Sequence, residues 1–292
     1  MHYQKTIAGS IANALIYFVL ILGALSCVLP LINVLAISFS SSVPATAGQV
    51  KLLPVGFTVN AYQYVLEKKE FVEALWVSVE RVVLGLTINT VFTVITAYPL
   101  SKTKSRFQPR NVFMWYFVGA MLFSGGLIPT YLMVSATGLM GSIFSLIIPG
   151  ALPIWNMIIL INFFRELPGE IEEAALIDGA GHFTALTKIY VPLSKPALAT
   201  LALFTIVGHW NNWFDALIYI NRPENYPLQT YLQTVLTKQD YSVAATISSI
   251  GNLSDRTIKA AQIIIGSIPI FMVYPFLQKY FTQGIVMGSV KG

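Results

Sequence analysis

The chain runs in long apolar stretches broken by short polar ones. From Ile11 to Phe39 there is no charged residue. A second stretch spans Phe71 to Leu100 and is free of charge from Val82 onward. Between Arg110 and Arg165 there is no Asp, Glu, Lys or Arg. Pro196 to Ile220 and Ala260 to Leu277 are again largely apolar. Stretches this long, without a polar face at the helical or the strand period, suit an apolar solvent on every side. A bilayer core of about 30 Å takes about 20 helical residues, so each stretch can cross.

The first stretch follows Lys5 and precedes Ala45-Thr46-Ala47, which has the look of a signal-cleavage site. A signal's apolar core is only about 7–15 residues, so this longer run is predicted to be a retained first span. The run between Arg110 and Arg165 would measure about 80 Å as one helix, so it must cross twice. Its turn is expected at Ala136 to Gly141, where Gly138 and Gly141 weaken the helix. Pro129 and Pro149 are expected kinks, tolerated where neighbouring helices satisfy the freed carbonyls. Pro196 suits the first turn of span five. Glu73, Glu80 and Arg81 lie near the start of span two. A charge at mid-bilayer costs about 2.5–3.5 kcal/mol, so Glu80 and Arg81 are placed at the membrane surface. As sequence neighbours they point apart around the helix and are not expected to pair. The count is six transmembrane helices in an all-α membrane protein.

Composition agrees. The 292 residues are 55% apolar and only 11% charged, with mean hydropathy +0.67; soluble domains carry roughly 25% charged residues. The net charge of +5 raises nucleic acid as a partner, but the positives form no long basic run. They sit between the apolar stretches, as topology requires. Lys102, Lys104, Arg106 and Arg110 form a loop without acids, which marks the cytoplasmic side. Six spans then place both termini, the 102–110 loop and the 165–195 segment inside, with 40–70 and 221–258 outside. Lys51, Lys68, Lys69 and Lys238 weaken the bias without reversing it. The single cysteine, Cys27, permits no intrachain disulfide and reads as a small buried residue. His2, His182 and His209 are too scattered to suggest a metal site. No internal repeat is visible, which counts against an inverted-repeat carrier.

One inner segment departs from the apolar pattern. Residues 165–195 are too many for a simple connection and should have structure of their own. Pro168 can open a helix, and Glu170, Glu172 and Glu173 favour the positive end of its dipole. Ile171, Ala174, Ala175 and Asp178 share one side at i, i+3, i+4, i+7. Gly179 and Gly181 break the helix; Phe183 to Tyr190 reads as a second short helix, ended by Pro192. Two readings stand: an amphipathic loop lying on the bilayer, or a knob that docks on another protein. The acids favour the knob, because helices on lipid surfaces are usually basic.

The residues Glu173-Ala174-Ala175, Asp178-Gly179-Ala180, Ile189 and Pro192 resemble the EAA loop of ABC importer permeases. Ile177 to Ala180 and Val191-Pro192-Leu193 look most like the carbohydrate-uptake, maltose-importer type. Trp210-Asn211 with Phe214, Leu217 and Tyr226-Pro227-Leu228 is similar to the same subfamily. So is the tail from Gln278-Lys279-Tyr280-Phe281 through Gly284 to Gly288-Ser289-Val290-Lys291-Gly292. The likeness covers nearly the whole chain, and tail and length look closest to the branch serving complex oligosaccharides with lipoprotein-type binding proteins. It implies a type I importer permease fold in a bacterial inner membrane. Residues 1–292 would form one transmembrane domain, with a permease core at about 71–281 and the coupling loop at 165–195. The implied role is half of a sugar path, with a second related permease, two ATPase subunits and an external solute-binding protein as partners. Coupling to the ATPase would fall to Glu172, Glu173, Ala174, Ala175, Asp178, Gly179, Ala180 and Pro192, with Gly179 setting the bend. Gln239, Asp240 and Tyr241 would tip an outer loop toward the binding protein, unless they are ordinary solvated loop. Val290-Lys291-Gly292 would reach the ATPase interface, unless the end is free.

This chain has no phosphate loop of the form G-x-x-x-x-G-K-[ST], so ATP and Mg would be bound by the partner ATPases and no cofactor by this chain. No nucleophile motif marks it as an enzyme. In span five, His209, Asn211, Asn212 and Asp215 are candidates for the translocation path, since polar groups inside a bilayer face the bundle or water. The alternative is that Trp210, Trp213 and Asp215 mark the outer interface. Asn33, Asn89, Asn156 and Gln262 are expected to make interhelical hydrogen bonds. Competing functions are an importer for peptides or amino acids, an ion-coupled sugar carrier and a membrane-embedded enzyme.

Overall fold

A computed structural model of the chain describes residues 7–237 and 253–289, and every described regular element is helical. Gln239, Asp240, Tyr241 and the tail from Val290 lie outside the described residues. The chain divides into two compact units, Met1–Lys69 with Val235–Ser267, and Glu70–Thr234 with Ile268–Gly292.

In the first unit, α1 (Ile7–Ser38) is apolar all round, and its membrane-length window buries nothing against the rest of the chain. Cys27 is therefore exposed, contrary to the sequence expectation of burial, because no described residue covers that length of α1. Only the end of α1 is packed. Ala36 and Ile37 meet Ala45 of α2 (Ser42–Thr46), Val50, and Ala260 in the first turns of α13 (Asp255–Ser289). Phe39 stacks on Phe57 and on Tyr62 of α3 (Asn60–Glu67), while Ser38 Oγ lies 2.7 Å from Tyr62 Oη. Arg256 Nη1 donates to Ala45 O at 3.0 Å and ties α13 to α2. Asn33 donates to the loop carbonyls of Val50 and Lys51 instead of to another helix.

The second unit carries the site. α4 (Lys69–Ser101) is one continuous helix. The predicted third span is instead two helices, α5 (Arg110–Leu122) and α6 (Leu127–Ala136), bent by 116°. The bend falls before α6, where Gly126 adopts φ 85°, and not at Pro129. Pro129 lies in the first turn of α6, where amides have no intrahelical acceptor to lose. The turn expected at 136–141 is present: Gly138 and Gly141 take φ 71° and 76°. The next segment is interrupted by 3-10 turns at Ile143–Leu146 and Ile148–Gly150 and bends by 49° into α7 (Ile154–Glu166).

α8 (Gly169–Ile177) and α9 (His182–Leu193) form the polar elbow, and an 81° bend leads into α10 (Lys195–Asn211). α9 ends at Leu193, one residue past the stop expected at Pro192. A π turn at Leu186–Tyr190 shifts its hydrogen-bond ladder, and the missing proline amide falls where the ladder is already displaced. α11 (Phe214–Tyr219) and α12 (Leu228–Thr237) follow. Among the described residues three helices are long and apolar enough to cross a membrane, and the three bent pairs bring the total to six. An apolar core of Tyr98, Leu100, Met157, Leu160, Phe164, Tyr190 and Leu201 joins α4, α7, α9 and α10 under the elbow.

Candidate functional site: a pinned elbow and a polar cleft

The elbow is shaped by its backbone. α8 ends with Ala180 N bonded to Ala175 O at 2.9 Å and Gly179 N to Leu176 O at 3.1 Å. This is the paired closure that requires a left-handed residue just past the helix, and Gly179 supplies it at φ 83°. A Cβ there would meet no atom within 4 Å, so the requirement is conformational and not spatial.

Glu172 turns inward and is 4% exposed. Its carboxylate accepts from Tyr98 Oη at 2.9 Å, Tyr190 Oη at 3.0 Å and Arg106 Nη1 at 3.1 Å. Lys102 Nζ stands 2.7 Å from Oε1 and completes the ion pair. The same ammonium lies 3.9 Å from the centroid of the Tyr98 ring and 4.0 Å from that of Tyr190. Burial pushes the Glu172 carboxyl up, but Lys102, Tyr98 and Tyr190 pull it further down, to a net value below the carboxylate range. Burial pushes the Lys102 ammonium down by more than Glu172 draws it up. Arg106 also pairs with the exposed Glu173 at 2.7 Å. The elbow exposes two large apolar side chains, Ile177 at 86% and Phe183 at 74%, and Ala174, Asp178 and Pro192 are exposed as well.

The second feature is a cleft of about 540 Å³ between α4, α7 and the α10–α11 junction. Arg81, expected near the membrane surface, is buried within the protein at 1% exposure. Its guanidinium grips Asp215 with both terminal nitrogens, and Nη1 also donates to Asn212 O at 3.0 Å. The desolvation of this burial is offset by the bidentate pair. Asn212 Nδ2 donates to Asp215 at 3.0 Å. Asn89 Nδ2 lies 3.2 Å from His209 Nε2, and Asn156 Nδ2 3.4 Å from Thr205 Oγ1; both are the interhelical bonds expected. His209 sits against Gly85, where a Cβ would fall 2.5 Å from Nε2. Arg81 Nε and Asn89 Oδ1 have no partner among the described residues, and both side chains line the cleft. Of the path candidates, His209, Asn212 and Asp215 line it while Asn211 does not. Gln262 is buried at 1% exposure, and its Oε1 has no partner among the described residues.

Arg81, Asn89, Tyr98, Lys102 and Arg106 were not singled out from sequence as site residues. Arg81 and Asp215 carried a signal, being opposite charges in separate apolar stretches. Lys102 and Arg106 were absorbed by their topological role.

A bundle of long and broken apolar helices, with a polar cleft inside and a capped polar elbow at one end, has the architecture of a membrane transport subunit. Residues 81–287 match the family described as binding-protein-dependent transport system inner membrane component, and the chain belongs to it. It is 39% identical over 283 residues to the polygalacturonan/rhamnogalacturonan transport system permease protein YtcP of Bacillus subtilis, covering 96% of this chain and 98% of that one. It is 40% identical over 278 residues to protein LplC of the same organism, covering 94% and 93%. Among solved structures, a chain of a bacterial ABC transporter that imports the acidic polysaccharide alginate superposes with a TM-score of 0.89. It is 33% identical, with 96% of this chain and 99% of that chain covered.

Proposed function

We propose that the chain is one of two permease subunits in an ATP-driven bacterial importer for oligosaccharides, with uronate-bearing sugars as the leading cargo class. The observation that carries this reading is the Glu172 knot. It binds α8 to Tyr98 on α4, to Tyr190 on α9 and to the basic loop. A displacement of the elbow is thereby passed to the helices that line the cleft. The exposed Ala174, Ile177, Asp178 and Phe183 form the face that an ATPase subunit would take, with Glu173 and Ala175 at its border, Ala180 and Gly179 fixing its angle and Pro192 beneath. The basic loop at 102–110 shares the elbow's end of the bundle, which supports a cytoplasmic elbow with both termini inside.

The cleft offers amide, hydroxyl and imidazole groups from Asn89, Asn156, Thr205, His209, Asn212 and Tyr219, and sugar hydroxyls need such mixed donors and acceptors. The sugar class comes from the relatives, whose names refer to pectic polymers and alginate. We treat 1–292 as one transmembrane domain with its permease core at about 71–281. ATP and Mg belong to the ATPase subunits; this chain binds no cofactor and catalyses no reaction of its own. Gln239, Asp240 and Tyr241 are assigned to contact with the external binding protein. An ion-coupled carrier is disfavoured, since Asp215 already has a cation.

The test is uptake of labelled oligogalacturonide into proteoliposomes holding this permease, its partner permease, the ATPases and the binding protein. Uptake should require ATP inside and all four components. Transport by this chain alone, or driven by a proton or sodium gradient without ATP, overturns the reading.

A further inference from the structure

Beside the Glu172 knot lies a cavity of about 660 Å³ with four cations on its wall, Lys102, Arg106, Arg110 and Arg165. The two carboxylates there, Glu172 and Glu173, are taken by Lys102 and Arg106. Arg110 and Arg165 have no carboxylate partner among the described residues. Instead Arg110 Nε and Arg165 Nη2 donate to one atom, Leu100 O, at 3.0 and 3.2 Å. Two nitrogens each within 3.2 Å of one oxygen are at most about 6 Å apart, so two like charges are held together. Each guanidinium uses one of its five N–H groups on this carbonyl, and the others remain for a ligand.

The position is informative. Leu100 closes α4, Arg110 opens α5 and Arg165 is in the last turn of α7. Three apolar segments therefore end at this cavity, which places it at the boundary between hydrocarbon and water. Phosphate-bearing groups are concentrated there, and Arg forks match phosphate oxygens in pairs.

We propose that Arg110 and Arg165 form a phosphate-binding site at the inner membrane surface, for the phosphate of an anionic lipid headgroup or for a free phosphate group. Occupancy neutralises the excess positive charge behind the elbow and stiffens the junction of α4, α5 and α7 against which α8 is pinned. Only the choice of leaflet rests on the proposed orientation; the site itself does not depend on the cargo.

The experiment uses the assembled importer in nanodiscs of phosphatidylcholine, with or without phosphatidylglycerol, and native mass spectrometry to count retained lipid. A parallel arm titrates inorganic phosphate against discs of phosphatidylcholine alone. Retention of phosphatidylglycerol identifies a headgroup; saturable phosphate binding in the second arm identifies a free anion. In either case R110Q/R165Q, which leaves an amide nitrogen at position 110 where Nε donates to Leu100 O, should weaken binding at least tenfold, while R110K/R165K keeps most of it. If the double glutamine variant does not assemble, R165Q alone should weaken binding severalfold. Failure to bind either probe, or equal binding by wild type and the glutamine variants, overturns the site. Sugar uptake is not read in this assay, so its outcome is separate from that of the importer reading.

Discussion

Two buried ion pairs organise the second unit, and they are finished differently. At the elbow, Glu172 collects two tyrosine hydroxyls, an arginine and a lysine, and no oxygen of its carboxylate is left without a partner. In the cleft, Arg81 and Asp215 satisfy each other, yet Arg81 Nε and Asn89 Oδ1 remain unpartnered among the described residues. A buried polar group left unmade costs about 1–3 kcal/mol, so a carboxylate with both oxygens engaged resists motion, while a donor and an acceptor left open on the wall of a cleft invite a ligand. The elbow has the properties of a joint and the cleft those of a binding surface.

The sharpest break in this comparison is Asp215→Ala. It strands a guanidinium that is 1% exposed, and removing one partner of a buried pair costs about 3–5 kcal/mol. A large drop in the melting temperature of the detergent-solubilised complex is expected, with recovery in R81M/D215L; if D215A melts as wild type does, the pair does not hold the cleft. At the elbow, Glu172→Gln keeps the shape but loses the charge that faces Lys102 and Arg106. Arg106 is 40% exposed and screened, so the expected loss of stability is smaller, about 1–2 kcal/mol. Uptake should fall at least tenfold while ATP hydrolysis continues; equal losses of both would place Glu172 outside the joint.

Gly179→Val forces a β-branched residue to φ 83°, at about 1–3 kcal/mol. Uptake should fall with the fold intact, and Gly179→Asn should be milder; normal transport by the valine variant would remove Gly179 from the coupling role. Glu172 also gives a pH signature. Its folded carboxyl lies below its ordinary value, so its stabilisation is complete above about pH 4.5 and fades as pH falls through the lowered value. The melting-temperature gap between wild type and E172Q should therefore close on acidification and stay constant from pH 6 to 8. The smallest effect is expected from Asn89→Ala, about 1 kcal/mol of stability with a severalfold rise in KM for uptake. A loss as large as that of D215A would make Asn89 a structural residue instead of a cargo contact.

The number of apolar segments, the turn at 136–141, the elbow at 165–195 and its glycine break were legible in the sequence. Each follows from a local property: run length, glycine torsion, or acids at a helix start. The bend before α6 was assigned to Pro129 because proline is the stronger breaker in an ordinary helix interior. A proline in the first turn loses no bond, whereas Gly126 takes a torsion other residues avoid. The burial of Arg81 inside the protein was not foreseen, because its cost was reckoned for an isolated helix. Its partner lies 134 positions away, and no local pattern marks that distance.

Sequence alone therefore determined where the chain meets lipid and where it turns, since both depend on neighbours within a few residues. Tertiary structure decided which charges are buried, because burying Glu172 or Arg81 is tolerable only when folding brings opposite charges and hydroxyls from distant segments to within hydrogen-bond reach.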